Sequence, residues 1–361
     1  MQQRIVDNSP VGSVLISAMS RALELAADAE IRPGANPRVG CVLLDASGRA
    51  QAEGVHRGAG TAHAEVDALR GWRSANRPGA PHTAVVTLEP CAHTGRTGPC
   101  TQALLEAGVR RVVLATTDPD PHAGGGAAIL RAAGVEVVEG VLRERALALN
   151  AEWFAATVLR RPHVTWKLAT TVDGRVAAAD GSSRWISSPQ SRADAHLARA
   201  AVDAIVVGTG TALSDDPQLA ARDGSGRPLR RDQQPLRVVM GLRAVPAGAR
   251  IHDDSAQTLV LPTRDPVLVL DTLWDHDVRR VLLEGGPTVA AAFWRAALVD
   301  RVVLYLAPAL LGAGPLGVSD LGIGSIQDAA RLDITDVARC GPDLKITLEP
   351  VRAAGTLEES G

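Results

Sequence analysis

Thr83-Ala84-Val85-Val86-Thr87-Leu88-Glu89-Pro90-Cys91 reads as a short apolar strand, Thr83 to Leu88, that delivers a cysteine just past its end. Cys100 follows after eight residues and opens a predicted helix, and His63-Ala64-Glu65 stands upstream at the start of another. One imidazole and two thiolates form a zinc ligand set that leaves the fourth position open, where bound water becomes acidic enough to supply hydroxide at neutral pH. Hydrolytic removal of an aromatic amine also needs a carboxylate beside the metal that is not a ligand. It carries a proton from water to the ring and the departing ammonia. Glu65 is the candidate for that role, with His63, Cys91 and Cys100 as ligands.

Histidine-x-glutamate followed by Pro-Cys is the signature of zinc nucleobase deaminases, although there the two cysteines normally stand two residues apart. Taken alone, His-Ala-Glu is an ordinary helix start. A structural zinc site would need a fourth protein donor, which His93 or His122 could supply, and would have no use for Glu65.

Outward from these motifs the pattern alternates between helix and strand. Met19, Leu23 and Ala26 recur at helical spacing within a helix from Val14 to Ala29, and Val39 to Leu44 is an apolar strand. Such alternation predicts a layered α/β domain. A helix through Ala146 to Leu159 ends at Arg160-Arg161-Pro162, where proline opposes continuation. A second α/β series follows, with strands at His163 to Ala169, Ala204 to Val207, Leu236 to Met240, Val281 to Leu283 and Arg301 to Leu306. Two domains are expected, 12–159 and 163–351, since 361 residues exceed what one core usually organises. Arg222 to Gln234 is polar and Gly- and Arg-rich, a loop by composition, and the residues after Pro350 are expected to fray.

The bulk composition narrows the function classes. A formal net charge of -2 and 2% aromatic residues give neither the basic field nor the stacking surface of a polynucleotide binder. Four cysteines in a chain this long are thiols or ligands and not a disulfide framework, and Cys41, inside a strand, is expected in the core. No apolar run reaches bilayer length, and the N-terminus lacks a signal-peptide pattern. The chain is expected to be soluble and cytoplasmic.

Asn36-Pro37-Arg38-Val39-Gly40-Cys41-Val42, His63-Ala64-Glu65-Val66 and the run from Thr87 to Cys100 together resemble the deaminase domain of the bifunctional riboflavin-biosynthesis deaminase/reductases (RibD type), in which a long Cys-to-Cys insertion is typical. The resemblance implies a cytidine-deaminase-like α/β/α domain acting on a 2,5-diamino-6-ribosylamino-pyrimidinone 5'-phosphate. It places Asn36 at the heterocycle and His93 and Arg96 near the ribose phosphate. Where members often carry Asp-Pro-Asn-Pro this chain has Asp118-Pro119-Asp120-Pro121, which keeps a role for Asp118 and puts the second position in doubt.

Lys167-Leu168-Ala169, Asp173-Gly174-Arg175, Ser183-Arg184-Trp185-Ile186, Asp215-Asp216-Pro217-Gln218-Leu219 and Glu284-Gly285-Gly286-Pro287-Thr288 resemble the reductase domain of the same family. The resemblance implies a dihydrofolate-reductase-like α/β fold and hydride transfer from NADPH to C1' of the opened ribosylamine. Ser183, Arg199, Leu219, Arg222 and Glu284 are then expected at the substrate. Ala169, Trp185, Thr211, Asp215 and the turn of Gly286, Pro287, Thr288, Val289, Ala290, Ala291 and Ala292 are expected at NADPH. Guanidinium forks such as Arg199 and Arg222 suit a phosphorylated sugar, and a helix start at Pro287 suits a pyrophosphate. Where members often carry an Asp-Ser pair near the adenosine end of the cofactor, this chain has Gly241-Leu242 followed by Arg243, which becomes the candidate for the 2'-phosphate.

The expected cofactors are Zn(2+) and NADPH. The expected partners are a phosphorylated pyrimidine substrate and a second copy of the chain in a homodimer, with no nucleic acid and no membrane. Two other readings remain open at this stage: a deaminase whose second half serves only to tether or oligomerise, and a binding protein with a structural zinc module.

Overall fold

The computed structural model describes residues 10–28, 32, 34–75, 79–93 and 98–351. Its backbone contacts group into two units, Met1–Arg160 and Arg161–Gly361. The first contains α1 (Pro10–Ala27), β1 (Gly40–Leu44), β2 (Ala50–Val55), α2 (Ala64–Ser74), β3 (Thr83–Val86), α3 (Cys100–Glu106), β4 (Arg111–Leu114), α4 (Gly126–Ala132), β5 (Glu136–Glu139), α5 (Arg143–Leu149) and α6 (Ala151–Leu159).

The five strands lie in the order β2-β1-β3-β4-β5, antiparallel through β2, β1 and β3 and parallel from β3 to β5. Helices cover both faces, which is why β1 and β3 are apolar without alternation. Cys41, Leu43, Ala84 and Val86 pack on one face with Leu69, Trp72, Leu104 and Leu130. Val42, Leu44, Val85 and Val113 pack on the other with Leu15, Met19 and Leu23 of α1. Cys41 is fully buried, as its strand position required.

The helix expected through Ala146 to Leu159 is in fact two, α5 and α6, divided at Asn150. The Asn150 side chain accepts from Arg38 N at 2.8 Å and donates to Arg38 O at 2.9 Å, so it caps the segment leading into β1. Such a side chain pairs with backbone more readily outside a continuous helix, and periodicity alone conceals it.

The second unit contains β6 (His163–Thr171), α7 (Pro189–Ala200), β7 (Ala204–Gly208), α8 (Thr209–Asp215), β8 (Leu236–Met240), β9 (Thr258–Leu261), α9 (Pro266–Asp275), β10 (Arg280–Leu283), α10 (Pro287–Arg295), β11 (Arg301–Ala307), β12 (Leu332–Cys340) and β13 (Asp343–Pro350). The sheet order is β12-β13-β11-β6-β10-β7-β8-β9, with β11 through β9 parallel and the β12–β13 hairpin antiparallel at one edge. Val206, Val238, Leu283 and Phe293 belong to one core cluster, and Ile205, Val207, Val239 and Ile251 to another on the opposite face. The Arg222 to Gln234 loop carries local order, with a bridge between Arg222 and Pro228 and a turn in which the Asp223 carboxylate accepts from Ser225 N and Arg227 N. Among the described residues no helix is long and apolar enough to cross a membrane.

Helix α1 approaches β1 so closely that a Cβ on Gly40 would stand 2.0 Å from Ala22 O. Gly40→Ala must push the helix off the strand, an overpacking change of about 1–3 kcal/mol. We expect the deaminase unit to melt at least ~3 °C lower in thermal unfolding followed by circular dichroism.

Candidate active sites

Strand register gathers the chemistry of the first unit at one edge of its sheet. β2 ends where Gly40 pairs with Val55, and β1 begins where Cys41 pairs with Val86 near the end of β3. β4 runs parallel to β3 and leaves in the same direction. The segments bearing Asn36, His63, Cys91 and Asp118 therefore emerge together. His63 is the N-cap of α2, Glu65 lies in its first turn, and Cys100 is the first residue of α3.

His63, Cys91 and Cys100 present donor atoms within 4.8 Å of one another, the one such group of three or more His, Cys, Asp or Glu among the described residues. His63 Nδ1 is 3.2 Å from Cys100 Sγ and 3.5 Å from Cys91 Sγ. Ligands at about 2.0 Å for nitrogen and 2.3 Å for sulfur in a tetrahedral shell stand at about these separations, so the donor set fits zinc. His93 and His122, the candidates for a fourth protein ligand, are exposed and outside the group.

The Cys100 thiol and backbone N–H, the latter 3.3 Å from Cys91 Sγ, together with His63 hold Cys91 as a thiolate, down to about 4. That thiolate in turn pushes the Cys100 thiol up. Glu65 is 3% exposed, and its burial pushes the carboxyl up to about 7. A divalent cation on the three donors acts in the opposite direction. Beneath the site the Glu89 carboxylate accepts from Asp118 N at 3.1 Å and Ala127 N at 2.8 Å, tying the loop after β4 to the Pro90-Cys91 turn. Burial pushes Asp118 up to about 6. Asp120 accepts from His122 N at 2.9 Å, a turn contact that an asparagine would also make.

In the second unit Thr211, Glu284 and the turn from Gly286 lie just beyond the carboxyl ends of the parallel strands β7 and β10, where open α/β sheets bind ligands. Glu284, next after β10, forms a bidentate pair with Arg199 of α7, with oxygens 2.5 and 2.8 Å from Nε and Nη2. Burial alone would raise the Glu284 carboxyl, but Arg199 and Lys167 together bring it down to about 2. Burial pushes the Lys167 ammonium down; it lies 5.9 Å from the centre of the Tyr305 ring.

The turns after β7 and β10 face each other. A Cβ on Gly208 would stand 2.6 Å from Val289, and one on Gly286 3.7 Å from Thr211 Oγ1. Backbone thus lines a cradle at the start of α10, and that fits a pyrophosphate. Trp185 is 68% exposed and stacked 4.4 Å from the Arg192 guanidinium, while Arg184 donates to Asp215 O at 2.8 Å.

Several expected residues are placed in ways that narrow what they can do. Arg199 spends two donors on Glu284, so Arg222, which gives one to Gly226 O, is the freer guanidinium. Leu219, Ala290 and Ala291 are buried, so any ligand contact there comes from backbone. Ala169 is half-buried and Ser183 and Asp215 are exposed; Asn36 is half-buried and His93 exposed. Arg96 lies outside the described residues. Sequence reasoning missed His56, whose ring stands edge-on to His63 at 5.2 Å, and Arg237, a fully buried cation. The sequence gives no sign of a role for Lys167, whose ammonium only folding brings near Glu284.

Residues 8–116 match the cytidine and deoxycytidylate deaminase zinc-binding region, and residues 162–346 match the RibD C-terminal domain. Riboflavin biosynthesis protein RibD of Mycobacterium tuberculosis is 48% identical over 334 residues, spanning 92% of this chain and 96% of the relative. That of Escherichia coli is 37% identical, spanning 91% and 98%. The solved structure of Acinetobacter baumannii RibD superimposes with a TM-score of 0.84 at 33% identity, covering 94% of this chain and 99% of that one. A Thermotoga maritima structure described as a diaminohydroxyphosphoribosylaminopyrimidine deaminase/5-amino-6-(5-phosphoribosylamino)uracil reductase gives 0.83 at 31% identity, with 94% and 99% covered. With a zinc-binding deaminase domain ahead of a reductase domain and relatives matched along nearly their whole length, the chain belongs to the RibD family of riboflavin-biosynthesis enzymes, which deaminate and then reduce.

Proposed function

We propose that the first unit hydrolyses the 2-amino group of 2,5-diamino-6-(5-phosphoribosylamino)pyrimidin-4(3H)-one, and that the second reduces the resulting 5-amino-6-(5-phosphoribosylamino)uracil to its ribityl product with NADPH. The observation that carries the first step is the three-donor group of His63, Cys91 and Cys100, with the buried Glu65 carboxyl beside it and no fourth protein donor among the described residues. Zinc bound there supplies a Lewis acid that makes water a nucleophile at neutral pH. Glu65 takes a proton from that water and passes it to the ring nitrogen, then carries the second proton, from the hydroxyl left on the carbon, to the amine that leaves as ammonia. Asn36 and the Asp118 loop flank the heterocycle, and His93 and Arg96 take the ribose phosphate.

For the second step NADPH supplies the hydride, and the protein's task is to place its nicotinamide against C1'. Thr211 and the backbone of Gly286 to Val289 hold the pyrophosphate, Trp185, Asp215 and Ala169 the nicotinamide end. Arg222 reads the substrate phosphate, with Ser183 and the Leu219 backbone beside it, and Arg199 fixes the Glu284 carboxylate toward the sugar. Arg243 follows β8, and its Nη2 stands 3.3 Å from where a Cβ on Gly210 would be, so the guanidinium overlies the first turn of α8 beside the cradle. A cation at the positive end of a helix is in place for an anion, here the 2'-phosphate. The homodimer belongs to the same reading: β12 is exposed along nearly its whole length, with Ile334 64% and Val337 54% exposed, a surface for a second copy.

Three outcomes test this. Purified protein should hold about one zinc per chain by elemental analysis; Cys91→Ser or Cys100→Ser should lose most of it, while Cys41→Ser and Cys340→Ser should retain it. Glu65→Gln should keep the zinc yet release ammonia at least ~100-fold more slowly, with the reductase intact on supplied deaminated substrate. Arg243→Ala should raise the KM for NADPH about tenfold and leave that for NADH nearly unchanged, the loss of one charge-assisted contact.

A further inference from the structure

We propose that Arg237 is a positioning residue of the reductase: it grips from below the Asp216–Arg222 segment and so holds Ala220 and Arg222 in register with Arg199. This rests on the reading above, in which that segment contacts the substrate.

Arg237 points from β8 into the sheet face that carries Ile205, Val239 and Ile251, and it is 0% exposed. Its Nη1 donates to Gln218 O at 3.2 Å and to Asp253 Oδ1 at 2.8 Å, and its Nη2 to the carbonyls of Asp253 and Ala256, each at 2.6 Å. Gln218 closes the loop by donating from Nε2 to Asp253 Oδ2 at 2.6 Å. Arg237 Nε is buried and has no partner among the described residues. A buried guanidinium with an unfilled donor, paired to a carboxylate that is itself half-exposed, is a poor source of stability, since a well-packed apolar side chain does as well. What only a guanidinium supplies is a rigid fork that joins two backbone segments at fixed spacing.

The gripped segment needs such a hold. Asp216 at φ 41° and Leu219 at φ 53° are both in left-handed backbone without being glycine, and such residues persist only where the surroundings over-determine them. Leu219 is pinned by the core, Asp216 by Arg250 N at 2.8 Å, and Ala221 by the Gln234 amide at 2.8 and 3.1 Å. On the site side the Ala220 carbonyl faces His196 Nδ1 at 3.0 Å and Arg199 Nη1 at 3.5 Å. The chain of contacts therefore runs from Arg237 through Gln218 to Ala220 and on to the Arg199–Glu284 pair.

The test uses the full-length protein, the deaminated phosphoribosylamino substrate and NADPH. Arg237→Met should raise the substrate KM at least ~10-fold with the NADPH KM within about twofold, and ammonia release from the diamino substrate, measured separately, should be unchanged. Asp253→Asn, which keeps shape and weakens the grip, should move the same constant a few-fold and decides the matter if the methionine variant does not fold. A substrate KM unchanged in the folded variants, or both KM values rising together, overturns the proposal. Arg222→Met separates the two levels. If it raises the substrate KM while Arg237→Met and Asp253→Asn do not, positioning fails and the site stands; if Arg222→Met has no effect, the segment is not at the substrate and the proposal falls with that reading.

Discussion

Helix α2 meets strand β2 backbone to backbone at Gly54. A Cβ on Gly54 would stand 2.2 Å from Ala64 O and 2.3 Å from Ala68 N, and one on Gly126 would stand 1.8 Å from Pro90 O. These two contacts set the positions of the helix start that carries His63 and Glu65 and of the turn that carries Cys91. Ligand separations of a few ångströms tolerate no slack, so the donors come from the ends of rigid elements seated on backbone and not on adaptable side chains. The Glu89 carboxylate beneath the turn adds a second restraint through the loop after β4.

The reductase unit solves a different electrostatic problem. Its site gathers Lys167, Arg199 and Glu284 in the interior, two cations and one anion, where unpaired charge is costly. Arg199 and Glu284 meet the cost by pairing bidentately. Lys167 meets it partly through the attraction of Glu284 and partly by lying 5.9 Å from the centre of the Tyr305 ring, and its burial still pushes the ammonium down. The excess of positive charge suits a phosphorylated substrate and a dinucleotide, and it is local: the chain as a whole carries a net charge of -2.

The deaminase donors were legible because their chemistry restricts residue type: a His-x-Glu and two cysteines after predicted strand and helix ends leave few arrangements open. The apolar strands were legible for the same reason, since burial on both faces leaves a continuous Val, Leu and Ala run. Asn150 was not, because a helix break made by a long-range side-chain bond to Arg38 leaves no local mark. Arg237 sits in a strand whose apolar neighbours give no hint that its guanidinium points inward onto carbonyls. The β12–β13 hairpin escaped as well: β12 is exposed on both faces, so Leu332 to Cys340 lacks the alternation that betrays a half-buried strand. Arg199 was read as a free phosphate fork since its partner Glu284 is distant in sequence, and only folding brings the two together.

The order of strands in the two sheets also bears on how the chain reaches this structure. In the first unit β1 and β2 pair as neighbours in sequence, and β3, β4 and β5 then add in turn on one side. In the second, β6 is synthesised before any other strand of its sheet yet lies between β10 and β11, which come near the end. Loop-closure entropy is paid before such distant pairings return anything, and sheets of this connectivity form slowly. During synthesis the deaminase sheet can assemble as it emerges, while β6 waits with both edges open until β10 and β11 arrive. That interval is when the chain is most exposed to aggregation and most dependent on being shielded.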